Sequence, residues 1–165
     1  VIHPVPPPHT AATVITVSDR CAAGTAVDRS GPLAAQQLVD AGWTTTVTVV
    51  PDEAAEIQDA IRCAVDDGSR LVVTTGGTGI APRDVTPEAT ATVLDRELPG
   101  LAEAIRAVGI ATLPQAMLSR AVAGVLDRSL VVNLAGSTGA VRDGVPVILQ
   151  IAAHVVSQLD GGDHG

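Results

Sequence analysis

The chain has 165 residues, 46% of them apolar, 17% charged and 1% aromatic, and eighteen Asp/Glu against ten Lys/Arg give a formal charge of −8. A chain of this size buries roughly 69% of its unfolded surface in one domain, and its aliphatic content excludes intrinsic disorder. The acidic balance and the near absence of aromatic rings exclude a nucleic-acid binder, and no uncharged apolar run reaches the ~18 residues that span a bilayer.

Residues 1–12 (V-I-H-P-V-P-P-P-H-T-A-A) hold four of the eleven prolines and predict a flexible leader ahead of a single domain over 13–161. The β-branched run 13–17 predicts a first strand that breaks into a loop at Ser18-Asp19-Arg20. Ser30 as N-cap and Pro32 in the first turn open a helix that Gly42 stops. A second strand over 44–50 ends at Pro51-Asp52. Ile57, Ile61, Ala64 and Val65 then share one face of a helix over 53–67, closed by Gly68. The continuous apolar run 71–75 predicts a third strand covered on both faces, which favours parallel pairing.

Thr86 as N-cap, with Pro87 and Glu88, starts a helix through Leu94, and Pro99 begins another over 100–108. A short helix around Met117 and Leu118 follows. Strands over 121–126 and 130–134, joined by Asp127-Arg128-Ser129, suit an antiparallel pair. The last helix carries Val141, Val145, Ile148, Leu149, Ala152, Val156 and Leu159 at near-helical spacing, and Pro146 either kinks it or follows a restart capped by Asp143. This alternation implies an α/β layer fold with a mostly parallel sheet and a ligand site at the C-terminal ends of its strands.

Cys21 and Cys63 lack any Cys-x-x-Cys spacing, and of the histidines only His154 falls in an ordered segment, His3 and His9 being in the leader and His164 penultimate. Zinc, disulfide and Ser-His-Asp chemistry therefore have no support. A charged segment followed by an apolar one is missing at the start, so the expected setting is cytoplasmic.

The stretch Thr75-Gly76-Gly77-Thr78-Gly79 follows the third strand directly. Its glycines permit positive φ and close approach of main-chain N–H groups to an anion, so it reads as a phosphate cradle or as a tight turn. It is no Walker A loop, and Pro82 stands where a dinucleotide fingerprint needs glycine. Asp84 lies five residues on. It is a candidate to hold Mg²⁺ or water beside a phosphate, or else a loop aspartate bonded to Arg83 or nearby amides. In a parallel sheet Asp52 and Asp19, at the ends of strands two and one, converge on the same loop, although Asp52 also suits a helix N-cap. Ser119-Arg120 and the loop 135–139 (A-G-S-T-G) form a second polar group that suits another anion, with Arg120 as counter-charge, or plain surface turns. Trp43 reads as core or interface packing.

Five motifs in order, Val-Ser-Asp-Arg at 17–20, Val-Pro-Asp-Glu at 50–53, Thr-Gly-Gly-Thr-Gly at 75–79, Arg-Asp-Val-Thr-Pro-Glu-Ala-Thr at 83–90 and Leu-Ser-Arg at 118–120, resemble molybdenum cofactor biosynthesis proteins of the MoaB/Mog type. The resemblance runs from about Thr13 to Gly161. It implies a three-layer α/β/α sandwich around a mostly parallel sheet with a small antiparallel element. It also implies Mg²⁺-dependent transfer of AMP from ATP to the terminal phosphate of molybdopterin, giving adenylyl-molybdopterin and pyrophosphate. By carry-over Asp84 matches the family's catalytic aspartate and Asp52 a second pocket carboxylate, both placed around Mg²⁺. Ser18, Asp19, Gly76, Gly77, Thr78 and Gly79 fall in the matched motifs as substrate-binding candidates. Ser119, Arg120, Gly136, Ser137 and Thr138 are candidates for the pterin end. Related sequences have Pro-Gly-Asn-Pro or Pro-Gly-Ser-Pro after the Asn-Leu strand, whereas this chain has Ala135-Gly136-Ser137-Thr138, a less restricted loop. The resemblance further implies a homo-trimer or homo-hexamer, with the molybdenum-inserting enzyme of the pathway as a candidate partner. Two rival readings stand beside it, a non-catalytic molybdopterin-binding or scaffold protein and a Mg²⁺-dependent phosphohydrolase.

Overall fold

The β-branched runs become the parallel part of a six-stranded sheet in the computed structural model, which describes residues 4–162. Residues 1–3 of the predicted leader, and His164, lie outside the described residues. Strands β1 (Ala11–Val17), β2 (Thr44–Val50), β3 (Leu71–Thr75) and β6 (Ser129–Leu134) are parallel, while β5 (Ala123–Leu126) runs antiparallel to β6 and β4 (Arg96–Glu97) antiparallel to β5. The order across the sheet is β2-β1-β3-β6-β5-β4. The chain leaves β1 for one side and returns to β3 on the other, so the β1/β3 boundary is a topological switch point.

Successive strand residues face opposite sides, and helices cover both. Val14, Leu71, Val73, Leu130 and Val132 pack with α2 (Ser30–Asp40), α5 (Pro99–Thr112) and α6 (Thr138–Leu159). Ile15, Val17, Val72 and Val131 pack with α3 (Ala54–Asp66) and α4 (Thr86–Val93). The result is a three-layer α/β/α sandwich. Every residue of β3 and β6 is buried, as covering on both faces requires, whereas edge strand β2 is largely exposed. Trp43 is buried beside α2 and α6.

Several local expectations are corrected. The first strand starts at Ala11, two residues inside the predicted leader, because the parallel register pairs Ala11 with Thr44 and Ala12 with Thr45. Ser18 does not open a loop; its Oγ accepts from Cys21 N–H at 3.2 Å and caps a short helix, α1 (Asp19–Ala22). At α2, Asp28 accepts from Gly31 N–H at 3.0 Å, while the Ser30 hydroxyl bonds Thr75 Oγ1 at 3.0 Å. Thr86 does not cap α4 either, since its hydroxyl donates to the Gly76 carbonyl at 2.9 Å. Helix α5 continues to Thr112, Pro114–Leu118 is a 3₁₀ turn, the strand predicted from 121 starts at Ala123, and the two-residue β4 had no sequence signal. Helix α6 runs through Pro146 without a restart. It is long and apolar enough by composition to cross a membrane, yet Val141, Val145, Ile148, Leu149, Ala152 and Val156 are buried in the core.

One buried polar residue ties the second half of the sheet together. Asn133, on β6, donates to Thr74 Oγ1 at 2.9 Å and Thr90 Oγ1 at 3.0 Å, and its Oδ1 accepts from Val122 N–H at 3.2 Å. It thereby joins β3, β6, α4 and the approach to β5. Asn133→Ala strands these partners without water, so urea unfolding should show a loss of about 3 kcal/mol. A loss below about 1 kcal/mol would remove the network from the stability of the fold.

Candidate functional site

The parallel register aligns the strand ends. Val17 pairs with Val50, Thr16 with Thr75, and Thr75 with Leu134, so the four segments that follow leave the sheet side by side. These are Ser18-Asp19, Pro51-Asp52, the glycine loop 76–79 and the loop 135–138. Gly76 (φ +100°) is the pivot. Its N–H donates to Leu134 O at 2.9 Å, and a Cβ there would drive into the Val17 carbonyl. Gly77 (φ +67°) turns the chain next, where a Cβ would lie 2.9 Å from Asp52 Oδ1 and would overlap Thr86 Oγ1. Only glycine adopts these conformations freely in so little space.

Asp19 and Asp52 bond each other reciprocally: Asp19 N–H donates to Asp52 Oδ2 at 2.9 Å and Asp52 N–H to Asp19 Oδ1 at 3.0 Å. The Asp52 carboxylate thus serves the end of β1 and not the N-terminus of α3, whose N-cap is Glu53. Arg83 bridges Asp19 (Nε to Oδ2, 2.6 Å) and Glu53 (Nη2 to Oε1, 2.8 Å), which holds the Asp19 carboxyl below its ordinary range; the Asp52 N–H adds to the effect. Asp52 shifts the opposite way. Burial pushes its carboxyl up, the charges of Asp19 and Asp84 push further, and the Asp19 N–H and Arg83 oppose them. The Asp84 carboxylate accepts from Ala81 N–H at 3.0 Å, and its Oδ2 would lie 2.8 Å from a Cβ on Gly79.

A cavity of about 550 Å³ is lined by Gly76, Gly77, Thr78, Gly79, Asp84, Ser119, Gly136 and Ser137, with Leu113, Ala116 and Leu118 among its apolar walls. A second cavity of about 330 Å³ is lined by Ser18, Arg20, Asp28, Ser30, Thr75, Gly136 and Thr138. They meet at Gly136, where a Cβ would lie 3.0 Å from Gly76 Cα. Ser137 caps α6 through Ala140 N–H at 3.0 Å, and both cavities flank this helix start.

Asp19 and Asp52 line neither cavity; they stand behind the glycine loop. Arg120 also lies outside both, its Nε donating to Gly79 O and its Nη2 to Asp84 O, each at 2.8 Å, with Glu88 as ion-pair partner. It clamps the loop between Gly79 and Asp84 and is not a free counter-charge. Ser119 Oγ reaches Thr78 Oγ1 only at 3.5 Å. Sequence reasoning missed the wall made by α5 and the 3₁₀ turn, and it missed Asp143 on α6 as a lining residue. The available signal was Gly109 in mid-helix, where a Cβ would come within 3.0 Å of Ala116 Cβ.

Fold and site define an α/β protein that gathers main-chain N–H groups and carboxylates at a switch point. The chain belongs to the family described as "Probable molybdopterin binding domain", whose model matches residues 13–154. It is 46% identical over 155 residues to a molybdenum cofactor biosynthesis bifunctional protein of Synechococcus elongatus, covering 93% of this chain and 49% of that one. The chain spans about half the length of the bifunctional relatives that it matches. It is 44% identical over 135 residues to a molybdopterin adenylyltransferase of Haemophilus influenzae, covering 79% of this chain and 68% of that one. A crystal structure of a molybdopterin biosynthesis protein from Mycobacterium abscessus superposes with a TM-score of 0.87 at 48% identity, covering 92% and 97% of the two chains.

The raised Asp52 carboxyl has a consequence for stability. A folded value above the ordinary 3.8 means that ionisation costs folding free energy; the cost sets in as pH rises past 3.8 and is full above the raised value. Asp52→Asn keeps an acceptor for Asp19 N–H and removes the charge. Without divalent cations its melting temperature at pH 7 should equal or exceed that of the parent, the difference shrinking toward pH 4. A variant that melts lower at pH 7 would contradict this electrostatic account.

Proposed function

We propose that this chain transfers AMP from ATP to the terminal phosphate of molybdopterin, releasing pyrophosphate, as a step of molybdenum cofactor biosynthesis. The observation that carries the reading is the junction of the two cavities at Gly136, against the glycine loop. A phosphoryl transfer of this kind needs two anions brought end to end and their charge neutralised, with little covalent work for the protein. Main-chain N–H groups of 77–79 and the start of α6 suit phosphate oxygens. Ser119, Gly136 and Ser137 are assigned to the pterin substrate in the larger cavity and Ser18 to the smaller one, which Thr138, a sequence candidate for the pterin end, also lines. Asp19 acts through others, orienting Asp52 and Arg83, and Arg120 holds the loop that carries Asp84.

The donor set fits Mg²⁺. The ion takes oxygen ligands and binds through one or two carboxylates plus substrate phosphates. The Asp52 carboxyl, raised by burial and by neighbouring carboxylates, marks an excess of negative charge that a divalent cation relieves. Asp84, on the wall of the larger cavity, would hold it, with Asp52 behind the glycine loop as the second carboxylate, and when bound it would screen the negative charge of the two substrates. We also assign the chain to a homo-oligomer, trimeric or hexameric, with exposed Val108, Ile110 and Met117, which lie outside the larger cavity, as apolar surface for such a contact. A reducing cytoplasm suits the free cysteines, Cys21 and Cys63. The molybdenum-inserting enzyme of the pathway is the partner expected to take the product.

Incubation with molybdopterin, Mg²⁺ and α-labelled ATP should yield labelled adenylyl-pterin, and Asp84→Ala should lower the rate by about 100-fold or more with the melting temperature held. An unchanged rate in the folded variant would remove Asp84 from the reaction. Tight pterin binding with no labelled product would favour the non-catalytic binding protein, and phosphate release without pterin the phosphohydrolase.

A further inference from the structure

Two charged side chains line the larger cavity, and they are differently employed. Asp84 accepts a hydrogen bond from Ala81 N–H, whereas Asp143 is half-buried and makes no hydrogen bond or ion pair among the described residues. Its position is fixed by its helix. Asp143 follows Ala140 by three residues on the cavity-facing side of α6, and Val141, Gly144, Val145 and Ile148 sit in the core. At Gly144 the helix packs onto the Leu134 side chain, where a Cβ would lie 2.5 Å from Cδ2. Its side chain, half-buried on the wall of a largely apolar recess, has open acceptor sites that the donors of a ligand can fill. The same recess has the N–H groups of 77–79 as a phosphate-type lining and apolar walls at Leu113, Ala116 and Leu118. The ligand that satisfies all three is a planar heterocycle with an anionic tail and a donor edge.

We propose that Asp143 is the residue that selects the pterin, accepting from its N3–H and 2-amino group with the two carboxylate oxygens. The inference rests on the adenylyltransferase reading above and adds to it the rule that sorts the two substrates. A pterin sets two donors side by side, a match for one carboxylate. The adenine of ATP sets its amino donor beside an acceptor nitrogen, which a carboxylate repels. Asp143 thereby favours the pterin and turns adenine away from the larger cavity.

Dissociation constants for molybdopterin and, separately, for ATP with Mg²⁺ test this on the full chain and on Asp143→Asn, a nearly isosteric change. The variant should bind molybdopterin about 10- to 100-fold more weakly, with ATP affinity and melting temperature unchanged. In turnover the pterin KM should rise while kcat at saturation is held. A pterin 6-methyl phosphate and its counterpart with oxygen in place of the 2-amino group give an independent readout: the parent should discriminate between them and Asp143→Asn should not. If the variant binds molybdopterin as tightly as the parent, the inference is overturned and the adenylyltransferase reading stands. Equal losses for ATP and in melting temperature would show a merely structural residue and also overturn it. If the parent itself binds no molybdopterin, the adenylyltransferase reading fails first and the role of Asp143 with it.

Discussion

The organisation of the site depends on one backbone contact, at Gly76. Three parallel strands end in register there, and the chain can turn out of β3 only because a residue without Cβ lies against the Val17 carbonyl while donating its N–H to Leu134 O. The turn exposes the main-chain N–H groups of 77–79 at the switch point, brings Gly136 against Gly76, and directs the Gly76 carbonyl to the Thr86 hydroxyl. A side chain at position 76 would push β1 and β3 apart at their C-terminal ends and separate the segments that form the site.

Around this pivot, charge is distributed unevenly. Arg83 is committed to Asp19 and Glu53, and Arg120 to main-chain oxygens and Glu88, so the two arginines nearest the glycine loop act as braces. Burial, with the charges of Asp19 and Asp84, holds the Asp52 carboxyl above its ordinary range despite the Asp19 N–H and Arg83. Under the proposed function, a chain with a formal charge of −8 would attract two anionic substrates through backbone N–H groups, a helix start and an added cation.

Much of the fold was legible because its signals are local. The β-branched runs that became β2 and β3, the apolar face of α3 and the glycine stops after α2 and α3 each report on a few neighbouring residues. Capping was read less well. Ser30 and Thr86 have good N-cap chemistry, yet their hydroxyls turn to Thr75 and to the Gly76 carbonyl, partners that become adjacent only after the sheet assembles. Strand β4 was missed because its pairing with β5 is set by packing and not by its own Arg96-Glu97 sequence.

Sequence by itself determined the alternation of strands and helices, the glycine loop after β3 and the acidic residues at the strand ends, since residue type and spacing along the chain dictate these. The folded chain alone decided that Asp52 bonds Asp19 and does not cap α3, that Arg120 braces the loop, and that Asp143 joins Leu113 and Ala116 around one cavity. The reason is physical. Hydrogen bonds and cavity walls form between groups distant in sequence, and their free energy is fixed by the three-dimensional neighbours that compete for each donor and acceptor.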